Sequence, residues 1–85
     1  MYEVVFDPVA IDFLNGLDKG VRERIFKKIL STKPNPFHYF ERLEGRKDSK
    51  LRIGDYRVIA DIDQNTRKIR VTLIGHRKNI YKNMV

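Results

Sequence analysis

Cysteine is absent from this 85-residue chain, and histidine occurs only twice. Without cysteine there are no disulfides, no thiolate nucleophiles and no cysteine-based zinc sites, and His38 and His76 lie too far apart in sequence to suggest a metal motif. We therefore expect no metal and no cofactor. Any chemistry has to come from Lys, Arg, Tyr, His or carboxylate side chains.

Long apolar runs are also missing. No stretch approaches the roughly 18 apolar residues of a membrane span, and Met1-Tyr2-Glu3 does not open a basic region followed by an apolar one. The sequence therefore predicts a cytoplasmic protein with no membrane association. With 41% hydrophobic and 11% aromatic residues the chain can bury one modest core, which predicts a single domain over residues 1–85.

Positive charge is in excess. The chain has 18 Lys and Arg against 11 Asp and Glu, a formal net charge of +7. Such an excess is typical of proteins that bind polyanions, although a net charge of roughly 2 to 8 also serves the solubility of a small domain. The distribution of the charges has to decide between these interpretations.

The N-terminal half predicts a short strand and a helical hairpin. Residues 2–6 read as a strand, and Asp7-Pro8 supplies a helix N-cap followed by proline at the first helical position. Residues 18–20 separate the two helices, and residues 33–36 end the second one because they contain two prolines. Residues 37–48 are predicted to form an irregular connection with room for one helical turn. The apolar stripes of the helices are Ala10, Ile11, Leu14 and Leu17, then Val21, Ile25, Ile29 and Leu30.

From Lys50 onward the apolar residues recur with a period of two. Strands are predicted over residues 50–53, 56–62 and 68–74. Gly54-Asp55 forms the first turn, of a kind that suits type II′, and residues 63–66 form the second. The fold class is therefore α+β: an N-terminal strand, a helical hairpin and a three-stranded antiparallel meander. Together they give one four-stranded sheet with the helices packed on one face.

One face of this sheet carries a cluster of cations. A Gly54-Asp55 loop places Arg52 directly opposite Arg57, with Lys50 on the same face. Like charges set across an antiparallel pair are destabilising, so an external anion is their natural compensation. The alternative is a solvated face in which Asp55 and Asp61 supply internal ion pairs.

The segment after the last strand, residues 75–82, combines further cations with an aromatic residue. Tyr81 can stack on an exposed base or donate its phenolic proton, and the alternative is a packing role with the hydroxyl in water. His76 is either part of this segment's chemistry or a polar surface residue. His38, among aromatic neighbours, is expected to pack.

This pattern resembles the RelE/ParE toxin superfamily over nearly the whole chain. The resemblance rests on Lys50 to Ile59, on Ile74 to Tyr81, and on Leu43-Glu44-Gly45 at the entry to the sheet. The RelE branch implies a ribosome-dependent endoribonuclease that cleaves messenger RNA in the A site. A ribose 2′-hydroxyl attacks the adjacent phosphate and leaves a 2′,3′-cyclic phosphate and a 5′-hydroxyl.

The resemblance also implies the site. The catalytic residues carry over onto Lys50, Arg52, Arg57, Arg77 and Tyr81. Lys47, His76 and Lys78 are expected to help bind RNA. Arginine forks suit the charge that develops on the phosphoryl oxygens. Lys50 is a candidate general base because neighbouring guanidinium groups disfavour its ammonium form, and otherwise it acts electrostatically. Relatives often carry lysine where this chain has Asp48.

The resemblance further implies a partner, a RelB-type antitoxin, whose complex with the toxin can bind operator DNA through the antitoxin. Two other functions stay open. One is a ParE-like toxin that inhibits DNA gyrase by protein binding, and the other is a non-catalytic RNA-binding module with stacking aromatics on its sheet. The aromatic residues that offer antitoxin contacts where exposed, and core packing otherwise, are Tyr2, Phe6, Phe37, Tyr39 and Phe40.

Overall fold

The computed structural model describes residues 1–80 and contains one mixed sheet with helices against one face. Its elements in chain order are β1 (Glu3–Phe6), α1 (Pro8–Asn15), α2 (Lys19–Ser31), α3 (Pro36–Tyr39), β2 (Glu41–Arg42), β3 (Ser49–Ile53), β4 (Tyr56–Asp63) and β5 (Lys68–His76).

The predicted helical hairpin is confirmed. Asp7 has extended backbone and Pro8 opens α1, where the fixed φ of proline suits a helix and its missing N–H has no intrahelical partner to lose. Helix α2 ends at Ser31, two residues before Lys33-Pro34, and α3 begins at Pro36. No helix within residues 1–80 is long and apolar enough to cross a membrane.

The sheet order is β1-β5-β4-β3-β2, with β1 parallel to β5 and the other neighbours antiparallel. The predicted meander is confirmed, but the count of four strands was wrong. The additional strand β2 has two exposed residues, so it carries no alternation for a sequence pattern to detect. It pairs with β3 because the loop between them closes tightly, with the Leu43 N–H donating to the Asp48 carbonyl at 3.0 Å.

The predicted β3–β4 hairpin is confirmed residue by residue. Ile53 pairs with Tyr56 and Arg52 with Arg57. Gly54 has φ +57°, while Asp55 stays at negative φ. Positive φ at only the first loop residue is the requirement of a type II′ turn, which glycine meets without steric cost.

The core lies between the helical hairpin and one face of the sheet. Helix α1 contributes Ala10 and Leu14, and α2 contributes Ile25 and Ile29. The strand residues of this core are Leu51, Ile53, Val58, Ala60, Ile69, Val71 and Ile74. Because side chains alternate across a strand, the residues between them face the other side.

A β-bulge changes this alternation in β5. Ile59 pairs with Leu73 but Ala60 pairs with Val71, so Thr72 is the extra residue. Its hydroxyl donates to the Ile59 carbonyl at 3.3 Å. The bulge lets Val71 and Ile74, three residues apart, both reach the core, and it lies beside the part of the sheet that carries the cations.

Candidate functional site

A groove of about 410 Å³ opens where α2 and α3 meet the β2 side of the sheet. We call it the basic groove. Its lining residues are Lys28, His38, Tyr39, Glu41, Lys50, Leu51, Arg52 and Arg57. Three of the predicted catalytic residues are therefore brought together, and four cations face a single carboxylate.

The strands position the cations as a direct result of register. Arg52 and Arg57 are cross-strand partners, and Lys50 lies two residues before Arg52 on the same face. Within residues 1–80 the ion pairs join Arg46 to Asp48, Arg70 to Asp7 and Arg77 to Asp55, and none involves a groove residue. Glu41, the cross-strand partner of Lys50, is the carboxylate of the groove, so the groove keeps an excess of positive charge around Arg52 and Arg57.

Asp61 does not neutralise Arg57, as the solvated-face interpretation required. Its cross-strand partner is Arg70, whose guanidinium binds Asp7 through two hydrogen bonds of 2.8 and 3.1 Å. Asp7, with a smaller contribution from Asp61, raises the pKa of Arg70. Asp61 lies four residues along β4 from Arg57, about 13 Å at the usual rise of a strand.

The Gly54-Asp55 turn gathers further arginines. Arg57 donates from Nη1 to the carbonyls of Gly54 and Tyr56 at 3.2 and 3.1 Å, which orients its guanidinium at the end of the groove. The Arg77 backbone N–H donates to the Asp55 carbonyl at 2.8 Å, and its Nε lies 3.6 Å from Asp55 Oδ1. That ion pair is long and exposed, so it contributes little to stability.

Arg24 is a third arginine at this turn, and nothing in the sequence pattern predicted it there. A Cβ atom on Gly54 would lie 2.6 Å from Arg24 Nη2, so the guanidinium contacts the turn where a side chain would otherwise project. The turn therefore carries the charge of Arg24, Arg57 and Arg77 against one carboxylate, Asp55.

Of the other predicted RNA-binding residues, Lys47 does not line the basic groove. It lines depressions at the opposite end of β3, near Arg42 and Asp61. Lys78 is exposed and its backbone N–H donates to His76 Nδ1 at 3.2 Å. Tyr81 lies outside the described residues.

His76 belongs to β5 rather than following it, and it faces away from Arg57. Its ring meets the Tyr56 ring edge-on at 5.7 Å, on the side of the sheet that carries the helices. Since Nδ1 accepts the Lys78 N–H, this geometry suits the tautomer with the proton on Nε2. The structure does not bring His76 together with the groove cations.

The face of the sheet that is turned away from the helices also has an apolar contact close to Arg57. Gly75 is the β5 partner of Arg57, and a Cβ on Gly75 would lie 3.3 Å from the Cβ of buried Ile80. Ile80 therefore packs against this part of the sheet, and glycine at position 75 leaves room for it.

Asp48, which departs from the family pattern, has a structural partner. Arg46 donates to both of its carboxylate oxygens, at 2.8 and 2.9 Å. The hydrogen bond from Arg46 lowers the pKa of Asp48, and partial burial opposes this shift only in part. The carboxylate thus closes the β2–β3 loop and does not line the basic groove.

Sequence reasoning missed one wall of the groove. Lys28 was given no role, and His38 was expected to pack. Instead His38 is exposed, Lys28 Nζ lies 5.1 Å from the centre of the Tyr39 ring, and the rings of His38 and Tyr39 meet edge-on at 4.9 Å. His38 and Tyr39 therefore face the groove, a placement that the pattern of residue types does not signal.

Residues 1–80 contain no group of three His, Cys, Asp or Glu side chains arranged to hold a metal ion. The polar and aromatic groups of the groove are four cations, a tyrosine, a histidine and the Glu41 carboxylate. The cations and the two rings can bind an anion, donate hydrogen bonds to it and stack on a flat ring.

Comparison with solved structures finds this fold in RelE toxins. The chain is similar to the toxin-antitoxin complex RelBE2 from Mycobacterium tuberculosis, with a TM-score of 0.82 and 22% identity over 89% of this chain and 98% of that chain. It is similar to the isolated E. coli RelE toxin, with a TM-score of 0.77 and 20% identity over 100% of both chains. For the archaeal RelE-RelB complex from Pyrococcus horikoshii the TM-score is 0.71, with 28% identity over 89% and 94%.

The sheet order, the helical hairpin and these likenesses define a RelE-like fold. The family of ParE toxins of type II toxin-antitoxin systems matches residues 4–81. The chain therefore belongs to this family and is a toxin of the RelE/ParE superfamily. A sequence comparison with curated proteins gave no significant match.

Proposed function

We propose that this toxin is a ribosome-dependent endoribonuclease that cleaves messenger RNA in the ribosomal A site. The observation that carries the proposal is the basic groove, in which Arg52 faces Arg57 beside Lys50 without an ion pair to another described residue. Like charges set across an antiparallel pair are destabilising, and the phosphates of a bound RNA would compensate them.

The reaction is a transesterification within the RNA. The ribose 2′-oxygen attacks the adjacent phosphorus, the bond from phosphorus to the 5′-oxygen breaks, and a 2′,3′-cyclic phosphate remains. The 2′-hydroxyl proton goes to a base, and the leaving 5′-oxygen takes up a proton. Negative charge grows on the phosphoryl oxygens during this step, so fixed cations beside them lower the barrier.

Arg57 is the best placed residue for that role. Its Nη1 is held by two backbone carbonyls of the turn, which leaves the other donors of a planar, permanently charged fork for phosphoryl oxygens. Arg77 adds charge from the same turn. Lys50 is either the base or an electrostatic group, and Tyr81 is proposed to orient the nucleotide. We assign RNA contacts outside the groove to Lys47 and Lys78, and His76 is retained as a weaker candidate.

We also propose a RelB-type antitoxin as the partner, in the cytoplasm, with operator DNA bound through the antitoxin. The solved relatives include RelE chains in complex with RelB antitoxins. This chain offers apolar surface for such a partner, since large hydrophobic side chains remain exposed on β1, α1 and α2. They are Val5, Val9, Ile11 and Phe26.

Inhibition of DNA gyrase is the second candidate. The family that matches the chain is named for ParE toxins, and a basic surface also suits docking on a nucleic-acid enzyme. The presence of Asp48 at a position where RelE-type enzymes often carry lysine favours this candidate as well. A non-catalytic RNA-binding module is less well supported, because the sheet face offers cations rather than stacking aromatics.

The experiment is a cell-free translation reaction on a defined messenger, with RNA ends mapped in the presence and absence of ribosomes. We expect cuts at codon positions only with ribosomes. Arg57→Ala should lower the rate by about 100-fold or more, the usual cost of removing one donor to a developing oxyanion.

Lys27→Ala serves as the control, since it removes one charge from α2 outside the groove. Gyrase supercoiling is assayed in parallel with the same protein. Intact RNA together with inhibited gyrase would contradict the nuclease proposal and support the second candidate. Equal cleavage by wild type and Arg57→Ala would contradict the role of Arg57.

A further inference from the structure

The basic groove has a second wall that the proposed chemistry leaves without a role. The sheet supplies Lys50, Arg52 and Arg57, while Lys28, His38 and Tyr39 line the opposite side. The two sides share one continuous depression, so a ligand whose phosphate lies on the sheet cations also reaches the helical wall.

Tyr39 is the distinctive residue of that wall. Pro36 and Phe40 of the same segment are buried, whereas Tyr39 remains 41% exposed. Lys28 Nζ lies 5.1 Å from the centre of the Tyr39 ring and the His38 ring meets it edge-on. These contacts hold the ring in place while the residue stays partly exposed.

Phe37 shows that exposure alone does not explain this arrangement. It lies on the same short helix and is 51% exposed, but it contacts Tyr2 edge-on and lines a different depression. The helix thus presents one aromatic ring inside the basic groove and another outside it.

A held aromatic ring beside cations is the combination with which proteins bind unstacked bases of single-stranded nucleic acid. The cations attract the backbone, and a base stacks on the ring without strong sequence preference. The groove volume of about 410 Å³ is at the small end of the range for ligand pockets, which suits a nucleotide better than a folded partner.

We propose that Tyr39 is a stacking platform for the base of a nucleotide next to the phosphate bound by Lys50, Arg52 and Arg57. Lys28 and His38 hold the ring in position. This inference rests on the proposed ribonuclease function, and it adds a substrate-binding residue outside the sheet and the C-terminal segment. It assigns to α3 the role of selecting unpaired RNA, because a base inside a duplex cannot stack on the ring.

The test measures binding of short single-stranded RNA whose 2′-hydroxyls are methylated, so that cleavage cannot occur. Two strands of equal length are compared by fluorescence anisotropy: one with bases, and one with abasic riboses throughout. Both carry the same phosphates, so the difference between them reports on the bases alone.

Tyr39→Leu is expected to weaken binding of the base-containing strand by about tenfold, within the range known for single stacking residues. It should leave binding of the abasic strand at the wild-type value. Tyr39→Phe, which keeps the ring, should bind the base-containing strand more tightly than Tyr39→Leu. Phe37→Leu is the matched control, and it should change neither affinity.

Lys28→Ala and Lys27→Ala form a second matched pair, since each removes one charge from α2 and only Lys28 contacts the ring. Lys28→Ala should weaken binding of the base-containing strand more than Lys27→Ala, because the ring loses its support. Because Lys28 is also one of the groove cations, Lys28→Ala should weaken abasic binding as well, but by a smaller factor than it weakens binding of the base-containing strand. Lys27→Ala should change both affinities by the same factor.

The inference is overturned if Tyr39→Leu and Phe37→Leu bind the base-containing strand equally well. It is also overturned if Tyr39→Leu weakens binding of the abasic strand by the same factor as binding of the base-containing strand. A third contradicting result is that Tyr39→Leu binds both strands like the wild type and loses only its binding to a protein partner. Failure of the proposed function looks different. In that case the wild-type protein would bind neither strand, and Arg57→Ala would have no effect on either.

Discussion

Arg52→Gln should make the free toxin more stable while weakening its action on RNA. Arg52 and Arg57 are direct cross-strand partners, with Lys50 on the same face and no ion pair to another residue of 1–80. Two unit charges about 6 Å apart repel by about 0.7 kcal/mol in water, and like-charged partners on antiparallel strands cost a similar amount. Removing one of them should stabilise the fold by about 0.5 to 1 kcal/mol at low salt.

The assay is urea unfolding of the purified toxin at low salt and in about 1 M salt. In thermal unfolding of the same samples, about 1 kcal/mol corresponds to a shift in Tm of about 4 to 8 °C for a chain of this size. The gain should disappear in high salt, because the Debye length falls to about 3 Å. The same substitution should lower RNA affinity and make binding less dependent on salt. The slope of log K against log salt concentration should fall in magnitude by about 0.7 for each phosphate of a single strand that the protein no longer neutralises.

Lys68→Gln is the control with the opposite sign. Lys68 pairs in register with Glu3 on β1 and Asp63 on β4, so its removal should lower stability at low salt. If Arg52→Gln also lowers stability, or if its effect does not depend on salt, Arg52 and Arg57 do not destabilise the fold by repulsion. The physical argument for an anion site on their face of the sheet would then be wrong.

Three further outcomes are expected. Gly54→Ala should destabilise the fold by about 1 to 2 kcal/mol because φ is +57°, and Arg24→Ala should not rescue it in urea unfolding, since the Arg24 guanidinium can move aside. Ile29→Ala should cost about 2 to 5 kcal/mol in the same assay, because Ile29 is fully buried in the core. Asp48→Asn should remove a pH-dependent part of stability. The hydrogen bond from Arg46 lowers the pKa of Asp48. The contribution of Asp48 to stability is therefore complete above about pH 4 and is lost as the pH falls through the lowered pKa. Unfolding curves from about pH 2.5 to 7 should therefore converge for wild type and Asp48→Asn in acid, and curves that stay parallel would exclude this role.

Much of the fold could be predicted because local patterns and tertiary structure agree in this chain. Asp7-Pro8 starts a helix where the structure has one, and Gly54-Asp55 produces the turn type that glycine at its first position permits. Once that turn is known, the alternation of side chains across a strand fixes the pairing of Arg52 with Arg57. The two-residue turn therefore sufficed to predict that Lys50, Arg52 and Arg57 share one face of the sheet.

The remainder depended on contacts between segments distant in sequence. Strand β2 exists because the loop closed by Leu43 and Asp48 holds two residues against β3. His76 faces Tyr56 rather than Arg57, since β5 continues farther than its apolar alternation indicates. The bulge at Thr72 is likewise invisible in a run of β-branched and aliphatic residues.

Residue periodicity, turn chemistry and motif order are properties of the chain alone, and they were sufficient for the toxin family, the helical hairpin, the meander and the cations that share a face. Which other residues join those cations is a matter of tertiary packing. Lys28 and Tyr39 lie 22 and 11 residues before Lys50, and no local rule relates such positions. They meet at one groove because burial of Ile29 and Phe40 in the shared core fixes where α2 and α3 lie against the edge of the sheet.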